Sequence, residues 1–300
     1  MIPTHKKIDL IYLTGCSRSG STLLDLILSA HPRVVSVGEV CNHARWLENN
    51  FACTCGAKVR ECEFWQRVAG MLRRDHLEAR VTRINSQLEK LRALLGFAAG
   101  ARFLPVAAIQ KYGLASYHLF KAVREASGKS IVLDSSKIPL RLLYLGLSGY
   151  FNLRIIHLVR DGRAYLNSTS KRAEKPAQGG WIPPVNAWRS TLRWMSTNSL
   201  SRYITTRLPD TPSHLVKYEE LASNPAAAVQ RLCEALQLDY HRDMLQGAGA
   251  AAHNISGSRW RYQADRVIRL DESWRTELAR HRLLVFELLG RRMNRRFGYR

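Results

Sequence analysis

Residues 8–24 read IDLIYLTGCSRSGSTLL, and their order decides the fold. Residues 8–14 are apolar and rich in strand formers, so they predict a buried β-strand closed by Gly15. Residues 21–30, STLLDLILSA, predict a helix that His31-Pro32 ends. Between them, glycine and serine let the backbone curl so that successive N–H groups point inward, and the helix N-terminus adds its partial positive charge. Strand, glycine-bounded turn and helix start together form an anion cradle.

The spacing nearly fits the phosphate-loop pattern GxxxxGK[ST]. Gly15, Gly20 and Thr22 match, Ser21 stands at the lysine position, and the positive charge lies inside the loop at Arg18. A lysine working with Mg²⁺ suits a triphosphate. A cation nearer the bridging oxygen suits a transferring group of lower charge and needs no metal.

Moving outward, residues 34–37 (VVSV), 131–134 (IVLD), 154–159 (RIIHLV) and 213–217 (SHLVK) predict further strands. Helices are expected over 161–172, 184–206, 225–237 and 275–291. Alternation of strands and helices predicts an α/β fold of the P-loop type, a three-layer domain with a central parallel sheet and helices on both faces. No linker is visible, so one domain spans 1–300. Residues 62–128 read as mostly helical, with heptad-like spacing at Ile84, Leu88, Leu91, Leu94 and Leu95. This makes 41–128 a helical insertion capping the acceptor side. Ligands of such sheets sit beyond the carboxyl ends of the strands. Arg18, Glu39, Ser135 to Lys137 and Arg160 all fall there.

The chain is 300 residues long and 46% hydrophobic, enough for a substantial core. Its net charge of +22 favours anionic partners, whether nucleotides, acidic substrates or an anionic membrane surface. No apolar run reaches the roughly 18 residues of a membrane span. Residues 94–109 come closest and are interrupted by Arg102 and Pro105. A cytoplasmic protein is therefore expected, with membrane-surface association allowed by the charge. The basic tail 291–296 (RRMNRR) would suit nucleic acid, but no recognised motif accompanies it, so no nucleic-acid partner is expected.

A second anion site is predicted after the strand at 154–159. Arg160 ends that strand, Ser168 lies about two turns into the following helix, and Arg172 lies one turn further on the same face. Arginine offers a planar fork to phosphate oxygens, so the group suits a dianionic phosphate.

Residues 15–24 (GCSRSGSTLL) resemble the 5'-phosphosulfate loop of sulfotransferases that use 3'-phosphoadenosine 5'-phosphosulfate (PAPS), and residues 159–172 (VRDGRAYLNSTSKR) resemble that family's 3'-phosphate segment. The likeness continues through LDSSK (133–137), YEEL (218–221) and GSRW…VIRL (257–270), and is weak over 41–128. The arrangement is most similar to the tyrosylprotein sulfotransferase branch and its bacterial relatives. The resemblance implies that Arg18, Ser19, Gly20, Ser21 and Thr22 hold the phosphosulfate and that Arg160, Ser168 and Arg172 bind the 3'-phosphate. It further implies that Tyr218, Arg259 and Arg269 complete the PAPS site. A bacterial enzyme acting on a hydroxyl of a carbohydrate, lipid, peptide or natural product is expected.

Sulfuryl transfer requires a base for the acceptor hydroxyl and positive charge at the leaving oxygen. Glu39 is the expected base, in a Gly-Glu pair after the second strand, where the resembling branch carries its catalytic glutamate. Arg18 and Lys137 are the expected electrophiles, and Ser258 adds a hydrogen bond. His31 is the alternative base, although its place at a helix end suits capping. A Mg²⁺-dependent small-molecule kinase using Asp134 is the rival enzyme, and a basic nucleic-acid-binding protein the rival without catalysis.

Cys41, Cys53, Cys55 and Cys62 crowd one short stretch without C-x-x-C spacing. With His43 nearby, zinc, a disulfide and reduced structural thiols all stay open. No metal is assigned.

Overall fold

The computed structural model describes residues 6–74, 106–174, 179–246, 253–255, 261 and 267–300. Its centre is a five-stranded sheet built from β1 (Ile8–Gly15), β2 (Val34–Ser36), β3 (Ile131–Lys137), β4 (Phe151–Val159) and β7 (Ser213–Lys217). The spatial order is β2-β3-β1-β4-β7. Every pairing is parallel. A separate two-stranded ribbon pairs β5 (Ala173–Glu174) with β6 (Trp181–Ile182).

The apolar run of β1 shows why the sheet is buried on both faces. Ile8, Leu10 and Tyr12 pack into one core layer. Ile11 and Leu13, pointing the other way, pack into a second. The period of two therefore serves two cores rather than a core and a solvent face. The first layer is covered by α4 (Val106–Ser127) and α5 (Pro139–Leu147), the second by α1 (Ser21–Ser29) and α9 (Pro225–Ala235).

The remaining helices are α2 (His43–Asn49), α3 (Glu63–Arg74), α6 (Gly162–Ser170), α7 (Ala187–Thr206), α8 (Tyr218–Ser223), α10 (Trp274–Glu277), α11 (Arg280–Leu289) and α12 (Arg291–Arg296). The helix expected over 275–291 is thus three short ones, broken where Leu278 and Ala279 turn extended and again at Gly290. The expected heptad run from Ile84 to Leu95 lies outside the described residues. Within residues 41–128, α3 and α4 contribute Phe64, Trp65, Val68, Tyr112 and Phe120 to the first core layer. Among the described residues no helix is long and apolar enough to cross a membrane.

Candidate active site

The cradle begins where β1 ends. Gly15 has φ 135°, and a Cβ there would stand 2.2 Å from the Leu158 carbonyl oxygen of the neighbouring strand. Gly20 has φ 87° and occupies the N-cap of α1, where a Cβ would meet the Tyr218 ring at 2.5 Å. Neither position accepts a side chain without displacing its neighbour. Arg18 also has positive φ, 68°, a conformation that a non-glycine residue holds only when its surroundings fix it. Its carbonyl oxygen accepts a hydrogen bond from Arg160 Nη1 at 3.1 Å. Burial pulls the Arg18 guanidinium down from its ordinary pKa, and Tyr165 opposes the shift. Ser19 and Ser21 are buried. Ser19 Oγ has no partner among the described residues.

The β2–β3 pairing extends past the end of β2 and forms the lip of the cradle. Val37 N–H donates to Leu133 O and Ser135 N–H donates to Gly38 O, each at 3.0 Å. Glu39 is thereby set across from Ser136 and Lys137. Lys137 Nζ donates to Glu39 Oε1 at 2.7 Å and to Ser135 O at 3.0 Å. Lys137 pairs with Thr14 of β1, so the lip adjoins the start of the cradle. Glu39 stands at the N-cap of a 3-10 turn, Val40–Asn42, but its side chain makes no capping bond. Its carboxylate, 26% exposed, serves the ion pair instead.

The second group gathers around Arg160, which is buried at the end of β4. Its guanidinium lies 4.4 Å from the Tyr218 ring centroid. Nη2 donates to Asp271 Oδ2 at 2.8 Å, while Nε is buried without a partner among the described residues. Burial pushes Asp271 up, but hydrogen bonds from Ser273 and Arg160 outweigh it and hold the carboxyl at about 2. Tyr218 donates to the Arg269 carbonyl oxygen at 3.4 Å. The Arg269 residue itself is exposed.

Ser168 stands half-buried two turns into α6, which Asp161 caps by accepting from Arg163 N–H. Arg172 differs from expectation. The helix ends at Ser170 and Lys171 is extended, so Arg172 is not one turn further along it. Its guanidinium lies 4.8 Å from the Trp181 ring across the β5–β6 ribbon. Val185 N–H, just past the ribbon, donates to Thr169 O in the last turn of the helix. Ser258 and Arg259 lie outside the described residues.

His31 does not reach the lip. It lies in the turn after α1, at the end of that nine-residue helix remote from the cradle. Its Nδ1 accepts from Arg33 N–H at 3.1 Å, and its ring meets His241 edge-on at 5.0 Å. Asp134 is engaged elsewhere, accepting from buried Arg141 Nε at 2.8 Å and from Ser136 N–H at 2.9 Å.

Sequence reasoning missed a buried network behind the cradle. Asp25 of α1 accepts from Arg261 Nη1 at 2.7 Å, Ser36 Oγ at 2.7 Å and Asn254 Nδ2 at 3.2 Å. A carboxylate inside the apolar run STLLDLILSA was the available signal, because a buried charge needs a partner.

Fold and loop together describe an α/β protein of the phosphate-loop type, with Arg18, Lys137 and Arg160 gathered at the carboxyl ends of its central strands. The sequence profile of the sulfotransferase family matches residues 10–242, and the chain belongs to that family. The matches concern the family as a whole and do not confirm the tyrosylprotein branch. No curated protein sequence matches the chain significantly. Among solved structures, the sulfotransferase domain of the Synechococcus PCC 7002 olefin synthase is 17% identical, with a TM-score of 0.51, covering 100% of this chain and 98% of that one. The sulfotransferase domain from the curacin biosynthetic pathway is 18% identical, with a TM-score of 0.53, covering 95% and 98%. Both likenesses are of fold.

Proposed function

We propose that the chain transfers a sulfuryl group from PAPS to a hydroxyl acceptor by in-line displacement, with Glu39 as general base and no metal in the chemistry. The observation that carries this reading is the Lys137–Glu39 pair at the lip of the cradle. It places a carboxylate and a cation side by side where β2 and β3 end, next to β1 and its anion loop.

The residues present fit the co-substrate. Ser19 Oγ and Arg160 Nε are buried polar groups without a partner among the described residues, and such groups require one. An anionic ligand would supply it at both ends of the site. Arg18 through Thr22 hold the 5'-phosphosulfate. Arg160, Ser168 and Arg172 hold the 3'-phosphate, with Arg259 and Arg269 contributing from the late segment. Tyr218 lines the pocket between the two, touching Gly20 and Arg160. Bound PAPS supplies an activated sulfuryl group with a good leaving phosphate.

Glu39 takes the acceptor's proton. Its Oε1 is occupied by Lys137, while Oε2 takes no hydrogen bond from a described residue and is open for the acceptor. Arg18 and Lys137 place positive charge beside the leaving oxygen, and Ser258 adds a hydrogen bond. The acceptor is a hydroxyl of a carbohydrate, lipid, peptide or natural product, and the enzyme works in a bacterial cytoplasm. The exposed Trp181 and Ile182 of the β5–β6 ribbon offer apolar surface beside Arg172 for an acceptor or a membrane face.

Calorimetry with the product nucleotide 3'-phosphoadenosine 5'-phosphate (PAP), in buffer free of Mg²⁺, tests the reading. Saturable binding is expected. Mg²⁺-dependent binding of ATP with none of PAP would overturn it.

A further inference from the structure

Far along the chain from its cysteine-rich stretch, His253 returns to complete a cluster. The Sγ atoms of Cys53, Cys55 and Cys62 and a ring nitrogen of His253 all lie within 4.8 Å of one another. Cys55 Sγ is 3.6 Å from Cys62 Sγ, and Cys62 Sγ is 3.2 Å from His253 Nδ1. With Zn–S near 2.3 Å and Zn–N near 2.0–2.1 Å, a tetrahedral centre has ligand–ligand edges of roughly 3.4–3.8 Å. The two contacts fall close to those edges, well outside the roughly 2.05 Å of a disulfide. All three cysteines are free thiols.

Contacts independent of any metal hold Cys53, Cys62 and His253, and Cys55 lies within the turn that Cys53 and Gly56 close. Cys53 N–H donates to Ala57 O, Gly56 N–H returns to Cys53 O, and Cys62 N–H donates to Lys58 O. Gly56 makes the tight turn with φ 93°. His253 is held twice: its ring stacks on Phe64 at 4.9 Å, and its carbonyl accepts from Trp65 Nε1 at 2.8 Å. Thr54 and Asn254 exchange two hydrogen bonds, so the histidine strand lies against the cysteine turn. Cys41 and His43 are not members. Cys41 Sγ points to Glu39 O at 3.5 Å, and the His43 ring packs on Trp65.

We propose that Cys53, Cys55, Cys62 and His253 form a structural zinc site, with His253 ligating through Nδ1. Three thiolates and one imidazole form a soft tetrahedral donor set that selects zinc over the hard cations. On binding, each thiol releases its proton, leaving a centre of net charge −1. Four protein ligands close the coordination sphere, so the metal takes no part in sulfuryl transfer. Its work is to staple residues 253–255 to the insertion. From there Asn254 reaches Asp25 and Ser36, and it abuts Gly38, the residue before Glu39.

Elemental analysis of the full chain, purified under reducing conditions without chelator, is expected to find about one zinc per chain. Exchange with Co²⁺ is expected to give thiolate-to-cobalt charge-transfer bands and the intense d–d bands of a tetrahedral centre. Cys62→Ser and His253→Ala should lose the metal, and Cys41→Ser and Cys233→Ser should keep it. Should the ligand variants fail to fold, the cobalt spectrum of the unaltered chain still decides. A reduced, folded chain that lacks zinc and gives no tetrahedral cobalt spectrum overturns the proposal. So does zinc retention in both Cys62→Ser and His253→Ala.

Discussion

Lys137 Nζ lies 2.7 Å from Glu39 Oε1, although the two residues stand 98 positions apart on the ends of neighbouring strands. The contact depends on Lys137 holding φ at 64°, a left-handed conformation that turns its side chain back over Ser135 toward the carboxylate. Glu39→Gln keeps the size and loses the proton acceptor. Turnover should fall roughly 10²–10⁴-fold, the usual share of a general base. Affinity for PAP should be unchanged or slightly higher, because a negative charge leaves an anion site. Paired calorimetry and acceptor-sulfation assays check this, and near-normal turnover would remove Glu39 from the role.

Ser168→Ala should weaken PAPS binding by roughly 1.5–3 kcal/mol, the range for a hydrogen bond to a charged group. Adenosine 5'-phosphosulfate, which lacks the 3'-phosphate, should lose nothing. Arg160→Ala should weaken both ligands, because the same guanidinium also holds the Arg18 carbonyl of the cradle. Competition binding with the two nucleotides separates these outcomes. Equal losses for both nucleotides in Ser168→Ala would show that Ser168 does not read the 3'-phosphate.

Gly20→Ala should cost the cradle twice. The left-handed backbone alone disfavours alanine by about 1–2 kcal/mol. The added methyl would also press on the Tyr218 ring. Nucleotide binding should drop sharply, and the thermal midpoint should fall. Combining Gly20→Ala with Tyr218→Ala should destabilise by less than the sum of the single changes, because the clash is then gone.

His157 sets an acid limit on stability. Burial is the main cause holding its imidazole down at about 4 in the folded chain, against an ordinary value of 6.5. Between those values the unfolded chain binds the proton and the folded one does not. Stability is therefore complete above about pH 6.5 and falls as pH drops toward 4, by up to about 3 kcal/mol from this residue. His157→Gln keeps a donor for Asn198 and does not titrate, so its stability should decline less over that window. Urea unfolding across the pH range measures the difference.

The sheet was legible because β1, β3 and β4 each carry a short apolar run rich in strand formers, Leu10–Leu13, Ile131–Leu133 and Ile155–Ile156, bounded by turn signals. β4 begins at Phe151 rather than 154, because Phe151 and Leu153 point inward around the exposed Asn152, an alternation too short to stand out beside the Ile155–Ile156 pair. Glu39, Lys137, Arg18 and Arg160 could be placed because a parallel sheet delivers the residues after its strands to one edge. Arg172 could not: helical spacing continued past Ser170, whereas the chain there pairs with Trp181–Ile182. The partners of Asp25 were out of reach for another reason. The carboxylate advertises its need, but Asn254 lies 229 residues on and Arg261 lies 236, and nothing local points to either. His253 escaped in the same way, 191 residues from Cys62.

The Asp25 network bears on where this protein can be cut. The family profile ends at residue 242, and a recombinant fragment trimmed to that boundary would hold all of the matched span. It would lack Asn254 and Arg261, leaving Asp25 of the phosphate-loop helix, fully buried in the whole chain, with only the Ser36 hydroxyl as a partner. Removing one partner of a buried ion pair costs about 3–5 kcal/mol, a large share of a typical domain's stability. The late segment is therefore expected to belong to the minimal folding unit, because the helix that opens the cradle is anchored by Asn254 and Arg261 from near the far end of the chain.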